Sequence, residues 1–423
     1  MNPRKLAYEA INKVMAEQAY ANLTVNEYLS RHRLNDNDRR LFTRLVYGTV
    51  ENYLKLEYLL KPFLKKKPDP FIHSLLCMSV YQIEYTGIPA FAAVDEAVKI
   101  AKEENRFAAS FVNAVLRNYL RAGKRDLSAL PENEWLSINY SHPLWLVDYL
   151  LSLYDRETTE KILRENNESK LLAIRVNTLK ATVAEVEAEL AKDGIGFRRI
   201  PLVKMGLMID GDLHDHRLVR EGKVVFQDGA AQLVAEMMAP ERNAKIIDLC
   251  AGPGGKTAHL AAIMKNSGVI YACDVHPHKI ALMDKLFARL GVKNVKTVLA
   301  DATKIKDAIK DKDFDYVLAD VPCSGLGAVS DRIDLKYRIT REVIDELVAL
   351  QRNILDRTWD LLKPGGKYVY STCTINPTEN EDQIKAFVKR NPDARIVNEK
   401  LIMPYEYHTD GFYICIMEKR VEE

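Results

Sequence analysis

The sequence predicts a multidomain protein with an all-helical N-terminal domain, a small α/β unit and a C-terminal α/β domain built on a doubly wound, mostly parallel sheet. Three observations lead to this prediction. Apolar residues in positions 1–125 recur every three or four residues, which is the helical period. From about residue 226, short β-branched runs alternate with amphipathic segments. The length of 423 residues favours two or three domains over one.

The N-terminal residues 1–125 read as successive helices. Apolar positions at helical spacing are clear at Leu41, Leu45 and Val46. The segments LNDND, KKKPDP and TGIPAF carry the turn-forming residues that separate one helix from the next. We therefore expect an all-helical domain over this range.

Residues 126–225 combine a helical linker with a small α/β unit. The clearest helix of the linker is SHPLWLVDYLLSLY. The α/β unit covers about residues 170–225 and contains the strand LLAIRVNTLK, the helix TVAEVEAELAKDG and then IGFRRIP.

The C-terminal residues 226–423 predict the doubly wound domain. The expected parallel strands are KIIDLC, VIYACD, VKTVLAD, FDYVLAD and GKYVYSTC. The last apolar run, GFYICIMEK, reads as one more strand, in antiparallel orientation. Ligands of such sheets bind outside the carboxyl ends of the strands.

Composition and cysteine usage exclude several classes of protein. The net charge is +2, so a nucleic-acid partner would need a local basic surface. The six cysteines include no CxxC pair and no zinc-like spacing with histidine. The start MNPRKLAYEAINKVM is amphipathic and charged rather than a signal peptide, and no run approaches the roughly 18 apolar residues of a membrane span. We expect a cytoplasmic protein without a metal site or a membrane segment.

A glycine-rich turn, DLCAGPGGKTAHL, follows the first predicted strand of the C-terminal domain. It is not a phosphate-binding Walker loop, because Cys250 stands where that motif needs glycine. The next two strands end in Asp274 and Asp301, which suit a ribose and an adenine edge. The set predicts an adenosine pocket without a phosphate clamp. S-adenosylmethionine (SAM) fits it and NAD is the competing ligand, although a single such aspartate more often only caps a helix.

Two cysteines, Cys323 and Cys373, end predicted strands of the same sheet, and Asp320 precedes the first of them. A lone buried cysteine is usually a small hydrophobic residue, which is our interpretation of Cys77 and Cys273. Two cysteines beside an acid and a SAM pocket indicate chemistry instead. A thiolate that adds to C6 of cytosine makes C5 nucleophilic enough to accept a methyl group from a sulfonium ion.

Five segments, in order, resemble the motifs of RNA cytosine-5 methyltransferases: DLCAGPGGKT, ACDVHPHK, LADAT, DYVLADVPCSGLGAV and YSTCTINPTENE. The N-terminal segments LFTRLVYGTVENYLKLEYLL, IPAFAAVDEAVKIAK and FVNAVLRNYLR resemble the NusB fold. The combination is similar to the ribosomal RNA small-subunit methyltransferase B family, also called Sun or Fmu. The resemblance covers nearly the whole chain.

The resemblance implies a NusB-like RNA-binding domain, a helical linker with a small α/β subdomain, and a Rossmann-like SAM-dependent catalytic domain. It implies methylation of carbon 5 of a specific cytidine in 16S ribosomal RNA. Cys373 would be the nucleophile, and Cys323 would assist release of the methylated base. Asp320 would lie between cofactor and base, and Lys256 would face the base or its phosphate.

The same resemblance implies the cofactor site. The residues around SAM would be Cys250, Ala251, Gly252, Pro253, Gly254, Gly255, Lys256, Asp274, Asp301 and Asp320. Relatives often carry CAAPGGKT, so we expect Gly252 to make the loop more flexible without inactivating it. Relatives also often carry an Arg-x-Pro element after the Pro-Cys motif, where this chain has DRIDLKYR with Arg332.

The expected partner is 16S ribosomal RNA, free or in an early assembly particle, bound by a monomer. Basic residues near aromatic ones suit RNA, although a solvated helix face explains any single run as well. The candidates are Arg31, Arg33, Arg39, Arg40 and Arg44; Lys65, Lys66 and Lys67; Arg117, Arg121, Lys124 and Arg125; and Arg198 with Arg199. Two alternatives stay open: a non-catalytic RNA-binding assembly or antitermination factor, and a cytosine-5 methyltransferase acting on tRNA or DNA.

Overall fold

The computed structural model describes residues 2–104 and 106–421, which form two compact units. The first unit runs to Glu168 and also contains Val329–Arg338. The second contains Ser169–Ala328 and the chain from Ile339 onward. The expected domain ranges 1–125, 126–225 and 226–423 stay predictions; in the structure, residues 126–168 group with the helical unit.

The first unit is helical, as expected from its apolar spacing. Its helices up to Glu168 are α1 (Pro3–Ala16), α2 (Ala21–Arg31), α3 (Asp36–Glu51), α4 (Tyr53–Leu60), α5 (Pro70–Tyr85), α6 (Ala90–Glu104), α7 (Arg106–Ala122), α8 (Glu132–Asn139), α9 (Leu144–Leu153) and α10 (Arg156–Glu165). Local sequence explains where they begin: Asn35 caps α3 by accepting from the N–H of Asp38, and Asp69 with Pro70 opens α5. Phe42, Leu45 and Leu56 are fully buried in the shared core.

A small antiparallel sheet opens the second unit, with strand order β2-β3-β1-β4. Its elements are β1 (Leu172–Val176), α11 (Val183–Lys192), β2 (Gly196–Arg199), β3 (Gly206–Asp210), α12 (Arg217–Arg220) and β4 (Val224–Phe226). The strand–helix–strand prediction is confirmed for β1, α11 and β2, and α11 begins with a capping box between Thr182 and Glu185. Sequence reasoning missed two short strands, β3, which pairs with β1 and β2, and β4, which pairs with β1.

A seven-stranded sheet forms the centre of the second unit, in the order β10-β11-β9-β8-β5-β6-β7. Its strands are β5 (Lys245–Asp248), β6 (Val269–Asp274), β7 (Val295–Leu299), β8 (Phe314–Asp320), β9 (Leu362–Thr372), β10 (Ala394–Ile402) and β11 (Phe412–Lys419). The remaining helices along the chain are α13 (Gly229–Met238), α14 (Gly255–Ile263), α15 (Pro277–Leu290), α16 (Ile305–Ala308), α17 (Leu335–Arg338), α18 (Arg341–Thr358) and α19 (Glu381–Arg390), of which α17 lies in the first unit.

The mostly parallel sheet is confirmed. Strands β5 to β9 run parallel, and β11 pairs antiparallel with β9 as expected. The missed strand is β10, whose residues are largely exposed and therefore carry little apolar signal. Because the carboxyl ends of β5 to β9 meet at one edge, the sheet gathers the residues that follow each strand there.

The segment Val329–Arg338 belongs to the helical unit although it directly follows the Pro-Cys motif. Ile333 packs on Val14, Ala21 and Val50. Lys336 is fully buried and donates to the carbonyl of Glu51 and to Asn167 Oδ1, each at 2.9 Å. Arg332 is exposed; it belongs to the DRIDLKYR segment, which stands where relatives often carry an Arg-x-Pro element.

Candidate active site

The glycine-rich turn joins β5 to α14 at the carboxyl edge of the sheet. Gly254 has φ of 104°, a conformation that side chains other than glycine rarely adopt, and it stands directly before the first residue of α14. Its N–H donates to the carbonyl of Ala251 at 2.7 Å. The turn is therefore tight, and the N–H groups of the first turn of α14 have no partners within their own helix.

Gly252 has a steric role that the sequence did not reveal. A Cβ at this position would lie 2.5 Å from Asp274 Oδ2 and 2.6 Å from Lys279 Cδ. Its N–H donates to Asp274 Oδ2 at 3.1 Å. The sequence predicts only a more flexible loop at Gly252. In the structure, the absence of a side chain there also makes room for the carboxylate of Asp274 and for Lys279.

Of the two predicted strand-end carboxylates, Asp274 is the last residue of β6 and Asp301 lies two residues after the end of β7. Asp274 is buried and accepts from the N–H of Gly252 and from that of His276, the latter at 2.9 Å, while Lys279 Nζ lies 3.4 Å away. Asp301 caps a short 3₁₀ turn by accepting from the N–H of Thr303 at 2.8 Å and from its hydroxyl at 2.7 Å. The capping explanation therefore holds for one oxygen of Asp301.

Asp320 and Lys256 form an ion pair between β8 and α14. Lys256 Nζ lies 2.8 Å from Asp320 Oδ2, and the Ser371 hydroxyl donates to Asp320 Oδ1 at 2.8 Å. Burial works against the ammonium charge, but attraction and hydrogen bonding to Asp320, with a smaller contribution from Cys373, outweigh it and raise the pKa of Lys256. The two residues are 64 positions apart in the sequence, and the fold brings them into contact.

Asp248, the last residue of β5, is a carboxylate that sequence reasoning missed. It is fully buried and accepts from the Thr257 hydroxyl at 2.7 Å. Burial raises its pKa to about 7; the Thr257 hydroxyl, Lys256 and the backbone of Cys250 offset this only in part. Its position at a strand end was visible, but only burial makes it unusual.

The raised pKa of Asp248 predicts a pH-dependent stability. In the folded chain the protonated acid is favoured, so ionisation of Asp248 lowers the stability of the fold. This loss is absent below the ordinary pKa of 3.8, grows as pH rises from there to about 7, and is constant above that. We compare the melting temperature of Asp248→Asn with that of wild type at each pH. We expect the difference, variant minus wild type, to become more positive by about 2–5 °C from pH 5 to pH 8. The exposed Asp284, which accepts from the Thr297 hydroxyl at 2.9 Å, supplies the control Asp284→Asn. A difference independent of pH would contradict this assignment.

The two cysteines meet where β8 and β9 end. Their sulfur atoms lie 3.4 Å apart, and both side chains are half-buried. The hydrogen bond to Cys373, burial, and the charge that Cys373 can carry raise the pKa of the Cys323 thiol well above its usual range. Cys77 and Cys273 are fully buried, as their interpretation as hydrophobic residues requires, and burial also raises the pKa of Cys250.

Glu379, in the segment after Cys373, is a second residue that the sequence did not single out. Its carboxylate is fully buried and accepts from the N–H and the hydroxyl of Ser324, from Gln351 Nε2 and from Asn376 Nδ2. Ser324 is the residue after Cys323, so this carboxylate joins the two cysteine segments. The only sign of this residue in the sequence was the polar segment NPTENE, which begins three residues after Cys373.

Gly327 and Gly411 bring the Pro-Cys segment against the turn before β11. The N–H of Gly411 donates to the carbonyl of Gly327 at 2.7 Å, and the N–H of Gly327 donates to the carbonyl of Cys373 at 3.1 Å. A Cβ on Gly327 would lie 2.0 Å from the carbonyl oxygen of Gly411. Only glycine permits this backbone contact.

We expect Gly327→Ala to destabilise the second unit by about 2 kcal/mol or more, because rigid backbone atoms must move to admit the methyl group. Chemical denaturation without ligand measures the change. Gly255→Ala is the control, since its nearest atoms lie at ordinary contact distance, 3.6 Å. Equal stability of the two variants would contradict the predicted clash.

Residues 2–104 and 106–421 also bear on membrane segments and metal sites. None of the helices there has both the length and the apolar character needed to cross a membrane. Within the same residues, His, Cys, Asp and Glu side chains form no group of three or more suited to a metal ion.

Comparison with known proteins agrees with this arrangement of domains and motifs. Three family models match: the NusB family over residues 1–121, a ferredoxin-like domain of RsmF/B-like methyltransferases over residues 142–214, and the 16S rRNA methyltransferase RsmB/F family over residues 235–418. The solved structure of PH0851 superposes with a TM-score of 0.86 at 27% identity and covers 99% of both chains. A methyltransferase homologue from Pyrococcus horikoshii is 27% identical, with a TM-score of 0.62, over 69% of this chain and 99% of its own.

Curated relatives match over the full length. The probable ribosomal RNA small subunit methyltransferase B of Bacillus subtilis is 37% identical over 99% of this chain and 98% of its own. The ribosomal RNA small subunit methyltransferase B of Vibrio cholerae is 34% identical over 92% of both chains. The chain therefore belongs to the ribosomal RNA small subunit methyltransferase B family.

Proposed function

We propose that this protein methylates carbon 5 of a specific cytidine in 16S ribosomal RNA, with SAM as the methyl donor and Cys373 as the nucleophile. The observation that carries the proposal is the pair of half-buried thiols, 3.4 Å apart, at the ends of two neighbouring strands. Cytosine-5 transfer needs one sulfur to attack C6 and a second group to help resolve the adduct. We further propose that the protein acts as a cytoplasmic monomer on free or early-assembly RNA.

The proposed cofactor site fits the residues present. The turn 250–256 would hold the methionine part of SAM, and Asp274 and Asp301 would hold the ribose and the adenine. Asp274 carries the acceptor oxygens that a ribose diol needs, and Lys279 Nζ at 3.4 Å is the longest of its contacts and the easiest to displace. When bound, SAM supplies an electrophilic methyl group on a positively charged sulfur.

In the first proposed step, the Cys373 sulfur forms a bond to C6, and the electron pair of the C5–C6 double bond moves toward C5. Asp320 would help by relaying a proton to N3 of the base. Lys256, paired with Asp320 at 2.8 Å, supplies positive charge beside the site and is the group from which that proton can pass. C5 would then form a bond to the methyl group of SAM while the bond from that methyl carbon to the cofactor sulfur breaks, so that S-adenosylhomocysteine leaves with the electron pair and the adduct keeps its C5 proton.

In the second proposed step, the C5 proton leaves, the electron pair re-forms the C5–C6 double bond, and the bond from Cys373 to C6 breaks. Cys323 is the proposed base. Its raised pKa is due first to its hydrogen bond to Cys373, and the charge of Cys373 adds to it. Once Cys373 is a thioether, both of these contributions disappear and the pKa of Cys323 falls. Adduct formation itself therefore helps Cys323 to lose its proton and become the thiolate that acts as the base.

The test is direct. Wild-type protein, SAM carrying a labelled methyl group and unmodified 16S ribosomal RNA are incubated, and the RNA is digested for nucleoside analysis. We expect label in 5-methylcytidine at one position. Label in tRNA instead, or no label in either RNA, would contradict the proposed substrate, and no label would favour a non-catalytic RNA-binding factor.

A basic groove in the helical unit is the proposed contact for the RNA backbone. A cavity of about 430 Å³ is lined in part by Lys61, Lys66 and Lys67, and by Tyr58, whose ring lies 3.8 Å from the Arg125 guanidinium. Runs that the sequence placed about 60 positions apart, around 61–67 and 121–125, therefore meet there. Arginine stacked on an aromatic ring beside lysines suits phosphates and unpaired bases.

Other basic runs have local partners that lessen their availability. Arg31 pairs with Glu27 at 2.7 Å, Arg44 donates to the carbonyl of Tyr85 at 2.9 Å, and Arg199 pairs with Glu187. In the groove, Lys67 likewise has a local partner, Glu57, at 3.0 Å. Its lining still carries three lysines against this one glutamate, an excess of positive charge that favours an anionic partner.

We expect replacement of Lys65, Lys66 and Lys67 by alanine to weaken RNA binding about tenfold and to reduce the salt dependence of the affinity by the equivalent of two to three counterions. Titrations of labelled 16S RNA at several salt concentrations measure both. The charge-matched control replaces Lys99, Lys102 and Arg106, exposed residues of α6 and α7. A loss on replacing Arg33, Arg39 and Arg40 but not the lysines would place the RNA elsewhere.

A further inference from the structure

Glu379 lies at the junction of three separate segments around the cysteines. Four donors lie within 3.0 Å of its carboxylate: the N–H of Ser324 at 2.8 Å, the Ser324 hydroxyl, Gln351 Nε2 at 3.0 Å and Asn376 Nδ2 at 2.9 Å. The Thr374 hydroxyl is a fifth at 3.3 Å. A carboxylate accepts from all of them, whereas a carboxylic acid would turn an O–H against one of these donors.

The segment around Cys373 has a second anchor that does not involve Glu379. Asn380 accepts from the Thr372 hydroxyl at 2.6 Å and donates to the carbonyl of Thr374 at 2.9 Å. It therefore holds the residues on both sides of Cys373. Pairing of β9 with β11 as far as Thr372 and with β8 as far as Ser371 adds to this support.

The segment around Cys323 depends far more on Glu379. Ser324, directly after the cysteine, directs both its backbone N–H and its hydroxyl to this one carboxylate. On the other side of the cysteine, the carbonyl of Pro322 accepts from Gln351 Nε2 at 2.9 Å, and Gln351 also donates to Glu379. Loss of the carboxylate would therefore loosen the Cys323 segment more than the Cys373 segment.

We propose that Glu379 is a positioning residue for product release: it holds the Cys323 sulfur against Cys373, where the second step of the reaction needs it. The inference rests on the proposed function, since it assigns the release step to Cys323. A displacement on the order of 1 Å can slow a positioned proton transfer by up to about 100-fold. The effect should fall on release and spare formation of the adduct.

The charge of Glu379 acts in the same place. After the hydrogen bond to Cys373, burial and the charge of Cys373, the negative charge of Glu379 is the remaining influence that raises the pKa of the Cys323 thiol. Loss of this charge should therefore lower the pKa of the Cys323 thiol. This supplies a readout that does not depend on methyl transfer.

The experiment compares wild type, Glu379→Gln and Glu381→Gln in single-turnover reactions with labelled SAM and 16S RNA, resolved on denaturing gels. Glu381 is the matched control, because it is a half-buried glutamate two residues further on. For Glu379→Gln we expect adduct formation within about threefold of wild type and release slowed at least tenfold. Ser324→Ala, which removes one of the donors and keeps the carboxylate, should slow release in the same direction by a smaller factor.

Each outcome decides a separate point. Methylation by wild type with unchanged release in both Glu379→Gln and Ser324→Ala would overturn this inference alone. Loss of adduct formation in a folded Glu379→Gln would also overturn it, by assigning the residue to the nucleophile. No methylation by wild type would overturn the proposed function and this inference with it. Without RNA and in a Cys373→Ala background, the pH midpoint for alkylation of Cys323 should move to lower pH in Glu379→Gln. An unchanged midpoint in a variant of equal stability would show that Glu379 has only a structural role.

Discussion

Cys373→Ala is expected to lower methyl transfer by at least about 10⁴-fold, to the limit of detection. Without addition of a sulfur to C6, C5 of cytosine stays a poor nucleophile, and no described residue replaces the missing electron pair. SAM binding should stay within a few-fold of wild type, because the predicted cofactor residues lie on the glycine-rich turn and the neighbouring strand ends. Methyl transfer under single-turnover conditions, with SAM affinity measured by calorimetry, separates the two effects.

The control for this prediction is Cys415→Ala. Cys415 lies on β11, is fully buried, and packs as an ordinary core residue. It should lose stability but keep the chemistry. Retained turnover in Cys373→Ala would remove the nucleophile assignment, and would make Cys323, 3.4 Å away, the residue to test in that role.

Cys323→Ala is expected to give the opposite phenotype, a covalent protein–RNA complex that forms and persists. The thiol that removes the C5 proton is absent, so the bond from Cys373 to C6 stays unbroken after the methyl group has been transferred. A positioned general base contributes about 10²–10⁴-fold, so release should slow by at least about 100-fold. A denaturing gel with labelled SAM would show the label migrating with the protein.

The double variant Cys323→Ala, Cys373→Ala separates this prediction from non-covalent binding. It should yield no adduct, because the persistent complex of the single variant depends on the Cys373 sulfur. A complex that survives denaturation in the double variant, or rapid release from Cys323→Ala, would contradict the roles assigned to the two thiols.

The alternation of apolar runs determined most of the fold. The helical period in residues 1–125 and the strand–helix alternation after about residue 226 are local patterns. They can therefore be recognised without knowing which segments pack against one another. Strand ends follow from the same patterns. Asp274, Asp320 and Cys373 could therefore be placed at one edge of a parallel sheet, because parallel strands end together. Assignment of Cys373 rather than Cys323 as the nucleophile came from family resemblance and stays a prediction.

Elements without such a pattern could not be predicted. The strand β10 is mostly exposed, so its alternation is weak, and β3 and β4 are short and depend on pairing within the small sheet. The segment Val329–Arg338 looks like a loop of the catalytic domain in sequence, yet its apolar and buried polar groups find their partners in the helical unit. Pairing of residues far apart in the chain decides these cases.

Local periodicity and turn chemistry specify which residue types stand at the strand ends and in the glycine-rich turn, so these could be predicted from the sequence. What surrounds them depends on tertiary packing. Asp248 became unusual through burial, Glu379 through donors that converge from three segments, and Gly327 through a backbone contact with Gly411. Burial, convergence and close approach are properties of non-local packing, and no local pattern of residues encodes them.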